Sequence, residues 1–435
     1  MKPRPILPPG PYLVVGLARS GAAAGRMLRE HGEVMGCDAG APPEAAQPGL
    51  EGLDIRLHSD GLDLLGRAAT VVKSPGVPQQ APVIVAARER GVEVVGELEL
   101  AWRVIPNEFI AVTGTNGKTT TVELLGAMHR QAGAPVEVAG NVGTPLASLA
   151  GALDPAATVV CEASSFQLED SSRFAPECAV LLNVTEDHLD RHGSFDDYVA
   201  AKLRVFQNQD DADLAVLQAE FAGQPGRAAT VRFGGPDSDL AERDGQLWWQ
   251  GVSMMPTNEI RLRGRHNLEN AMAAAAAVLA RGLDQQAVCD TLRKFAGVPH
   301  RLEEVAERDG VLFVNDSKAT NVASALVGIE AFDGGVHLIA GGSLKGGGFG
   351  GLREAVESRC RACYLIGEAA EQLEHDLRGT VPLHRCGDLE HAVKAASEAA
   401  QPGEIVLLSP ACASYDQFKN FEERGARFRE LAGGG

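Results

Sequence analysis

Residues 109–120 read FIAVTGTNGKTT, an apolar run followed by a glycine-rich turn. The apolar run is typical of a buried strand, and the residues after the turn are predicted to begin a helix. Glycines in such a turn let successive backbone N–H groups surround a polyphosphate at the start of the helix. Lys118 can reach the outer phosphates, and the hydroxyl of Thr119 can bind Mg²⁺.

This turn predicts an ATP-binding loop, with a chance turn as the alternative. It contains the Gly-Lys-Thr core of a phosphate-binding loop but lacks the usual first glycine, because Val112 stands at that position. The residues that we expect to contact ATP in this loop are Gly114, Thr115, Asn116, Gly117, Lys118, Thr119 and Thr120.

Strand and helix patterns alternate on both sides of this loop, over the whole chain. The first of them are a strand at 12–16, a helix at 22–31 and a second strand at 34–37. This alternation is typical of parallel sheets that are covered by helices on both faces. We therefore predict an α/β fold with three doubly wound, mainly parallel sheets.

The 435 residues are enough for about three domains, at roughly 100–200 residues each. Glycine-containing segments near residues 96 and 297 are the predicted boundaries. The expected domains are 1–96, 97–297 and 298–435. We expect the central domain to be a P-loop type ATP-binding fold and the two outer domains to be Rossmann-like.

Composition and charge exclude several classes of protein. Hydrophobic residues make up 45% and charged residues 23%, which excludes a disordered, collagenous or coiled-coil chain. The formal net charge of −18 repels phosphate backbones and anionic lipids, so we expect neither a nucleic acid nor a membrane as a partner. No apolar run approaches about 18 residues and no signal-peptide pattern is present, which predicts a cytoplasmic protein.

Eight cysteines are spread thinly along the chain, which favours reduced thiols over a disulfide framework. Cys360 and Cys363 form one C-x-x-C pair. We interpret them as half-buried helix positions, because no second pair with zinc-site spacing accompanies them.

A second glycine turn, Gly16-Leu-Ala-Arg-Ser-Gly21, follows the first predicted strand. It resembles the G-x-G-x-x-G of dinucleotide-binding folds, and Asp38 stands at the end of the next strand. Ala18 replaces the middle glycine, and its Cβ hinders the close approach of a pyrophosphate. Binding of NAD, binding of another nucleotide and a purely structural turn therefore stay open.

Three further polar residues stand near predicted strand ends. Glu162 ends a strand at 158–162, where a carboxylate can bind Mg²⁺ or cap the next helix. His188 lies in an acidic loop after another strand, and Lys202 lies on the helix that follows. A lysine beside a Mg²⁺ site is electrostatically unusual, so Lys202 is either a solvated residue or a group altered to be anionic.

Five segments of the chain closely resemble the Mur ligases. They are TGTNGKTT (113–120), GNVGTP (140–145), EASSFQLED (162–170), NVTEDHLDRHG (183–193) with AAKLRVF (200–206), and GRHNLENAMAAAA (264–276). Two later segments resemble the branch of that family that adds D-glutamate. They are NDSKATN (315–321) and LSPACASYDQFKNFEERG (408–425).

The resemblance implies a role for each matching residue. The catalytic residues of the family match Lys118, His188 and Lys202, and its metal ligands match Thr119, Glu162, His188 and Lys202. Further ATP-side residues match Asn270, Arg301 and Asp316. Residues on the side of the UDP-linked substrate match Asp38, Asn141 and Gln167. The pocket for incoming glutamate matches Lys318, Thr320, Lys345, Ser414 and Phe421.

The resemblance also implies cofactors and an activity. The match of Lys202 is to a lysine that CO₂ converts into a carbamate, and this anion can bind one of two expected Mg²⁺ ions. The implied activity is ATP-dependent addition of D-glutamate to UDP-N-acetylmuramoyl-L-alanine through an acyl phosphate, in the synthesis of peptidoglycan precursors. We expect a monomer that binds only small molecules.

Two departures from the family pattern bear on the substrates. Asp38 is followed by Ala39, Gly40 and Ala41, where the family often has threonine and arginine, so the resemblance implies a contact to uridine here for Asp38 alone. Ser343 and Leu344 replace a more usual polar pair before Lys345.

Three rival functions stay open. A sister ligase would add another amino acid or act on a folate-like substrate. An oxidoreductase would use the glycine turn at Gly16, and a non-enzymatic module would use the phosphate-binding loop alone.

Overall fold

The computed structural model of the chain describes residues 2–42, 44, 49–141, 143–187, 189–222, 226–262, 264–344 and 348–433. The contacts divide the chain into two compact units. The first consists of Met1–Ile260 with His266–Lys294, and the second of Arg261–Arg265 with Phe295–Gly435. Within the described ranges, no helix has the length and apolar character needed to cross a bilayer.

The first sheet lies in the first unit and is parallel throughout. Its strands are β1 (Tyr12–Val15), β2 (Val34–Asp38), β3 (Asp54–Leu57), β4 (Thr70–Lys73) and β5 (Glu93–Gly96). The accompanying helices are α1 (Arg19–Leu28), α2 (Leu62–Leu65), α3 (Pro82–Glu89) and α4 (Glu97–Val104). The strand order β3-β2-β1-β4-β5 places the glycine turn after β1 at the centre of the carboxyl edge of the sheet.

The second sheet, also in the first unit, has nine strands. They are β6 (Phe109–Thr113), β7 (Val136–Gly140), β8 (Thr158–Glu162), β9 (Cys178–Leu181), β10 (Leu214–Gln218), β11 (Ala229–Phe233), β12 (Leu240–Arg243), β13 (Gln246–Trp249) and β14 (Val252–Pro256). Its helices are α5 (Lys118–Gln131), α6 (Ser165–Glu169), α7 (Leu189–His192), α8 (Phe195–Leu203), α9 (Arg265–Ala280) and α10 (Gln285–Lys294). The order is β14-β13-β12-β11-β10-β9-β6-β8-β7, so β6 and its phosphate-binding loop lie between β9 and β8.

An antiparallel ribbon, β12 to β14, extends the second sheet and was not predicted from the sequence. Its two turns contain Asp244-Gly245 and Gln250-Gly251, and all four residues have positive φ. Paired positive φ values are typical of two-residue hairpin turns, so the Asp-Gly pair was the available sequence signal.

The second unit contains a six-stranded sheet of order β15-β16-β20-β17-β18-β19. Its strands are β15 (Glu303–Arg308), β16 (Val311–Asn315), β17 (Val336–Gly341), β18 (Cys360–Ile366), β19 (Leu383–Gly387) and β20 (Ile405–Leu408). The helices are α11 (Val322–Glu330), α12 (Arg353–Arg359), α13 (Ala370–Asp376), α14 (Leu389–Ala399) and α15 (Phe421–Ala432). Only β15 runs antiparallel to its neighbour among these strands.

The predicted α/β fold with three mainly parallel sheets is confirmed. The division into domains at residues 96 and 297 stays a prediction. The first two sheets share one hydrophobic core, in which Trp102 of α4 packs edge-on against Phe174 at 5.7 Å.

The interpretation of Cys360 and Cys363 as helix positions was wrong. Both are buried in strand β18, and all eight cysteines are free thiols. A short apolar run does not distinguish a buried strand from a buried helix, which is the physical reason for the error.

Candidate functional site

The phosphate-binding loop connects β6 to α5 at the carboxyl edge of the second sheet. Gly117 has φ of +84°, a left-handed conformation that glycine adopts without strain. A Cβ at this glycine would lie 2.0 Å from Oδ1 of Asn270, so helix α9 packs its asparagine directly against the loop. Lys118 donates from Nζ to the carbonyls of Gly114 and Thr115, at 3.0 and 2.8 Å. The structure thus brings the predicted loop residues and Asn270 together.

A buried carboxylate links this loop to the neighbouring strands. Thr119 donates from Oγ1 to Oε2 of Glu162 at 2.8 Å, and Nδ2 of Asn141 donates to Oε1 at 3.0 Å. Glu162 is only 2% exposed. Both oxygens of the carboxylate are therefore held in place, one by the nucleotide loop and one by the segment after β7.

Lys202 is a buried lysine beside the same loop. Its Nζ donates to the carbonyl of Gly114 at 2.7 Å and lies 4.4 Å from the centre of the Tyr198 ring. Burial, together with the positive charge of Lys118, lowers the pKa of Lys202 to about 7. The reading of Lys202 as a solvated surface residue is thereby excluded.

The donor set at this edge fits a hard divalent cation in part. Thr119 and Glu162 offer hydroxyl and carboxylate oxygens, which Mg²⁺ prefers. His188, a predicted ligand, lies outside the described residues. Within the described part of the chain there is no group of three or more His, Cys, Asp or Glu side chains that could hold a metal.

A cavity of about 660 Å³ opens in the first unit, where the carboxyl ends of β1, β2 and β4 meet segments of the second sheet. Three residues predicted to be on the substrate side, Asp38, Asn141 and Gln167, all line it. One wall is apolar, and Arg19 contributes a positive charge. The apolar wall consists of Val77, Pro78, Ala81, Pro82 and Val83. A cavity of this size and mixed lining is typical of a small-molecule site.

The carboxylate of Asp38 is fixed in this cavity by backbone groups. Oδ2 accepts from the N–H of Leu17 at 2.6 Å, and Oδ1 accepts from the N–H of Gly40 at 2.8 Å. Ala39, at the first position that departs from the family pattern, lines the cavity with a methyl group. A Cβ at Gly21 would lie 1.8 Å from the carbonyl oxygen of Gly16, so this glycine is required for the turn itself.

In the second unit, the positive charge of Arg301 acts on the carboxylate of Asp316. Asp316 accepts from Oγ of Ser409 at 2.8 Å and from the N–H of Leu302 at 3.3 Å. Burial raises the pKa of Asp316 to about 7, against the opposing effect of Arg301. Nε of Arg301 is buried and has no hydrogen-bond partner among the described residues.

Residues 317–318 and Phe421, from two segments that contain predicted glutamate-pocket residues, are in contact. Nζ of Lys318 lies 5.9 Å from the centre of the Phe421 ring, and Oγ of Ser317 donates to the carbonyl of Phe421 at 2.8 Å. Ser414 is buried at 2% exposure, and Thr320 donates its N–H to the carbonyl of Lys318. Lys345 lies outside the described residues.

Arg424 was not predicted as a site residue, yet it holds these segments together. Its side chain is fully buried, and its guanidinium donates to Ser317 and to the carbonyls of Cys412 and Ala413 at 2.9–3.2 Å. Burial lowers its pKa to about 10. The available signal was the spacing of Arg424, Phe428 and Ala432, which places the arginine on the buried face of α15.

Comparison with known proteins identifies the family that the chain resembles. A family model described as the Mur ligase middle domain matches residues 112–278, and one described as the Mur ligase, glutamate ligase domain matches residues 300–412. The chain is 43% identical to the UDP-N-acetylmuramoylalanine--D-glutamate ligase of Acidobacterium capsulatum over 438 residues, covering 96% of this chain and 95% of that protein. It is 44% identical to the protein of the same name from Geobacter metallireducens over 433 residues, covering 96% of each.

Solved structures share the fold at lower sequence identity. The UDP-N-acetylmuramate-alanine ligase of Thermotoga maritima is similar with a TM-score of 0.60 and 20% identity, covering 96% of this chain and 98% of that chain. The MurF ligase of Thermotoga maritima, solved in complex with ADP, has a TM-score of 0.59 and 19% identity, covering 86% and 90%. The family models match more than half of the chain, and its relatives align over nearly its full length, so the chain belongs to the Mur ligase family.

Proposed function

We propose that this chain uses ATP to join D-glutamate to UDP-N-acetylmuramoyl-L-alanine, as a cytoplasmic enzyme of peptidoglycan precursor synthesis. One observation carries the proposal. Asn141 lines the large cavity and also donates to Glu162, whose other oxygen accepts from Thr119 of the phosphate-binding loop. A substrate in the cavity and a nucleotide on the loop would thus share one hydrogen-bonded network.

The chemistry explains why the two sites must adjoin. Amide formation from a free carboxylate is unfavourable in water, so the carboxylate first attacks the γ-phosphate of ATP, and ADP leaves as the bond to the bridging oxygen breaks. The resulting acyl phosphate has phosphate as its leaving group, and the amine of D-glutamate then attacks the carbonyl carbon. Lys118, the first residue of the helix after the phosphate-binding loop, would neutralise charge on the transferred phosphoryl group.

Two described residues, Thr119 and Glu162, would hold Mg²⁺ through hard oxygen atoms, with His188 and modified Lys202 as the further predicted ligands. When bound, Mg²⁺ neutralises charge that accumulates on the phosphates. Oγ1 of Thr119 and Oε2 of Glu162 lie 2.8 Å apart, which supports binding of one cation by both residues.

We further propose that Lys202 carries a carbamate. The reaction with CO₂ requires a neutral amine, and burial next to Lys118 favours that form because two adjacent ammonium groups repel each other. The carbamate would replace a buried positive charge with an anion beside the phosphate-binding loop. This change also removes the conflict between a lysine and a metal site.

The amino acid would be supplied by the second unit. Glutamate has two carboxylates, and the cations Lys318 and Lys345 are the proposed partners, with Thr320, Ser414 and the backbone near Phe421 as hydrogen-bond donors. Arg301 and Asp316 are proposed on the ATP side, and the unpartnered buried Nε of Arg301 supports a polar ligand there. The named relatives are D-glutamate ligases, which supports this choice of amino acid.

The cavity would bind the UDP-linked substrate. Arg19 supports an anionic ligand, the apolar wall supports stacking of a base, and Asp38 supports a hydrogen bond to uridine. The protein of the related fold that was solved with ADP supports ATP binding at the loop. We propose that the enzyme acts as a monomer on small molecules, with no nucleic acid or membrane partner.

Phosphate release from ATP, measured with each substrate omitted in turn, tests the function. We expect release only when UDP-N-acetylmuramoyl-L-alanine and D-glutamate are both present, and little release with L-glutamate, L-alanine or L-lysine. Release that requires a different amino acid would indicate a sister ligase. Release without either substrate, or reduction of NAD or NADP, would contradict the proposal.

A further inference from the structure

A fully buried ion pair, Lys73 with Asp170, connects the first sheet to the second. Lys73 is the last residue of β4, and Asp170 directly follows α6. Nζ of Lys73 lies 2.6 Å from Oδ2 of Asp170, and both side chains are 1% exposed. Gln79 donates from Nε2 to the other carboxylate oxygen at 2.8 Å.

The backbone adds a further connection at the same place. The N–H of Gly96 donates to the carbonyl oxygen of Asp170 at 2.9 Å. A Cβ at Gly96 would lie 3.1 Å from Cβ of Asp170, so only a small residue allows this approach. Asp170 is therefore held by β4, by the loop after β4 and by the end of β5.

Both residues of the pair are close in sequence to residues that line the large cavity. Ser74, Pro75 and Gly76, which follow Lys73 in sequence, line the cavity from the side of the first sheet. Gln167, three residues before Asp170, lines it from the side of the second sheet. A change in the distance between Lys73 and Asp170 would therefore shift these walls, which are one to three residues away in sequence.

Because both charges are buried, the ion pair is stable only within a narrow range of distances and orientations. Desolvation of two charges is compensated only when the charges stay in contact and their remaining hydrogen bonds are formed. Apolar or amide replacements of a buried pair often preserve stability, so stability alone gives no reason for ionic groups at this position. A short ionic contact fixes the separation of two backbone segments more tightly than non-directional apolar packing does.

We infer that Lys73 and Asp170 are positioning residues that set the width of the cavity and thereby its affinity for the UDP-linked substrate. The inference rests on the proposed function, because it takes UDP-N-acetylmuramoyl-L-alanine as the ligand of the cavity. Neither residue lines the cavity, so both act through the segments that do.

The test replaces the pair without leaving a single buried charge. Lys73→Met with Asp170→Asn keeps the side-chain volumes and an oxygen for Gln79. The matched control is Arg103→Met with Glu99→Gln, which removes another buried ion pair of the first unit. Glu99 joins α4 to Ser172 and Arg173, and none of these residues lines the cavity.

Calorimetric titration of the full chain with UDP-N-acetylmuramoyl-L-alanine measures the affinity, and steady-state assays give kcat and the three KM values. We expect the Lys73→Met/Asp170→Asn variant to show a Kd and a KM for this substrate raised about tenfold, because a wall displaced by a fraction of an ångström loses oriented contacts. The KM values for ATP and D-glutamate should change by less than about twofold. The change in kcat should be much smaller than the change in the KM for the UDP-linked substrate. The control pair should leave the Kd near that of the wild type.

Unchanged affinity in the double variant, or equal weakening in the control, would overturn the inference while leaving the proposed function intact. A wild-type chain that does not bind the UDP-linked substrate would overturn both. If the double variant does not fold, Lys73→Arg replaces it, because the longer guanidinium keeps the charge but alters the separation. The same selective rise in Kd is then expected, and an unchanged Kd rejects the inference.

Discussion

Two lysines share one carbonyl oxygen at the phosphate-binding loop. Nζ of Lys118 and Nζ of Lys202 both donate to Gly114, at 3.0 and 2.7 Å. Their mutual repulsion and burial favour a neutral amine at Lys202, the form from which a carbamate is made. At the scale of single residues, this arrangement is the observation on which the proposed carbamate at Lys202 rests.

Lys202→Ala should reduce ligation by about a hundredfold or more, because the variant lacks the proposed anionic ligand beside the phosphates. A short carboxylic acid such as acetate should restore part of the activity by occupying the same space. Lys294→Ala, on the exposed end of α10, is the control and should retain full activity. Full activity in Lys202→Ala would refute the role assigned to this lysine.

Glu97 is a second residue whose burial should affect a measurable property, the pH dependence of the stability of the protein. It is buried, and it accepts from the N–H of Ala147 at 2.6 Å and from Oγ of Ser20 at 3.3 Å. Burial raises its pKa to about 7 from 4.5. The unfolded chain ionises Glu97 near pH 4.5 and the folded chain near pH 7, so its contribution lowers the free energy of unfolding as pH rises through this window and is constant above it.

Glu97→Gln should therefore be about 3 kcal/mol more stable relative to the wild type at pH 8 than at pH 4.5, since a shift of one pKa unit corresponds to about 1.4 kcal/mol. Urea unfolding followed by tryptophan fluorescence measures this, because the three tryptophans all lie in the first unit. A stability difference that is the same at both pH values would show that folding does not raise the pKa of Glu97.

At the scale of elements, helix α5 begins and ends next to left-handed glycines with different surroundings. Gly117 precedes the helix with φ of +84°, and Gly133 follows it with φ of +71°. A Cβ at Gly117 would collide with Asn270, whereas a Cβ at Gly133 would meet nothing within 4 Å. Alanine substitutions at the two glycines therefore distinguish the effect of backbone strain, which both would have, from that of a collision with Asn270, which only Gly117→Ala would have.

Gly117→Ala should raise the Kd for ATP by more than about tenfold, because the methyl group displaces either the loop or Asn270. Gly133→Ala has a similar backbone penalty of about 1 kcal/mol but should leave ATP binding unchanged. Titration with a non-hydrolysable ATP analogue compares the two variants. Equal weakening in both would mean that helix stability, and not the contact with Asn270, governs nucleotide affinity.

At the scale of the whole molecule, the candidate residues for one reaction are divided between two compact units. Lys118, Glu162 and Asn270 belong to the first, and Arg301 and Lys318 to the second. Ligands that contact both units would bind most tightly to an arrangement in which the two sets of residues converge. We therefore expect ligand binding to be coupled to the relative position of the units.

Small-angle scattering should show a smaller radius of gyration when an ATP analogue and UDP-N-acetylmuramoyl-L-alanine are bound together than when neither is present. Each ligand alone is the control and should give a smaller change. An unchanged radius, with binding of both ligands verified by calorimetry, would contradict closure as a large motion.

Local patterns along the chain were sufficient for the fold class and for much of the nucleotide loop. Strand β6, the turn at Gly114 and Gly117, and the start of α5 at Lys118 are adjacent in sequence, so propensity and periodicity were enough to predict them. The resemblance to the Mur ligases added the candidates Asp38, Asn141 and Gln167, and the structure places these three around one cavity. The roles of these three residues stay predictions, as do those of His188 and Lys345.

Only the tertiary structure revealed the contacts that hold these sites in shape. Lys73 and Asp170 are 97 positions apart, and Arg424 and Ser317 are 107 apart. One sequence contains no signal for which buried charge meets which partner, because a long-range contact depends on how whole sheets and helices pack. Periodicity reports only the neighbours of a residue within a turn or a strand, so it predicts elements and loops, whereas packing alone determines the cavity and its supports.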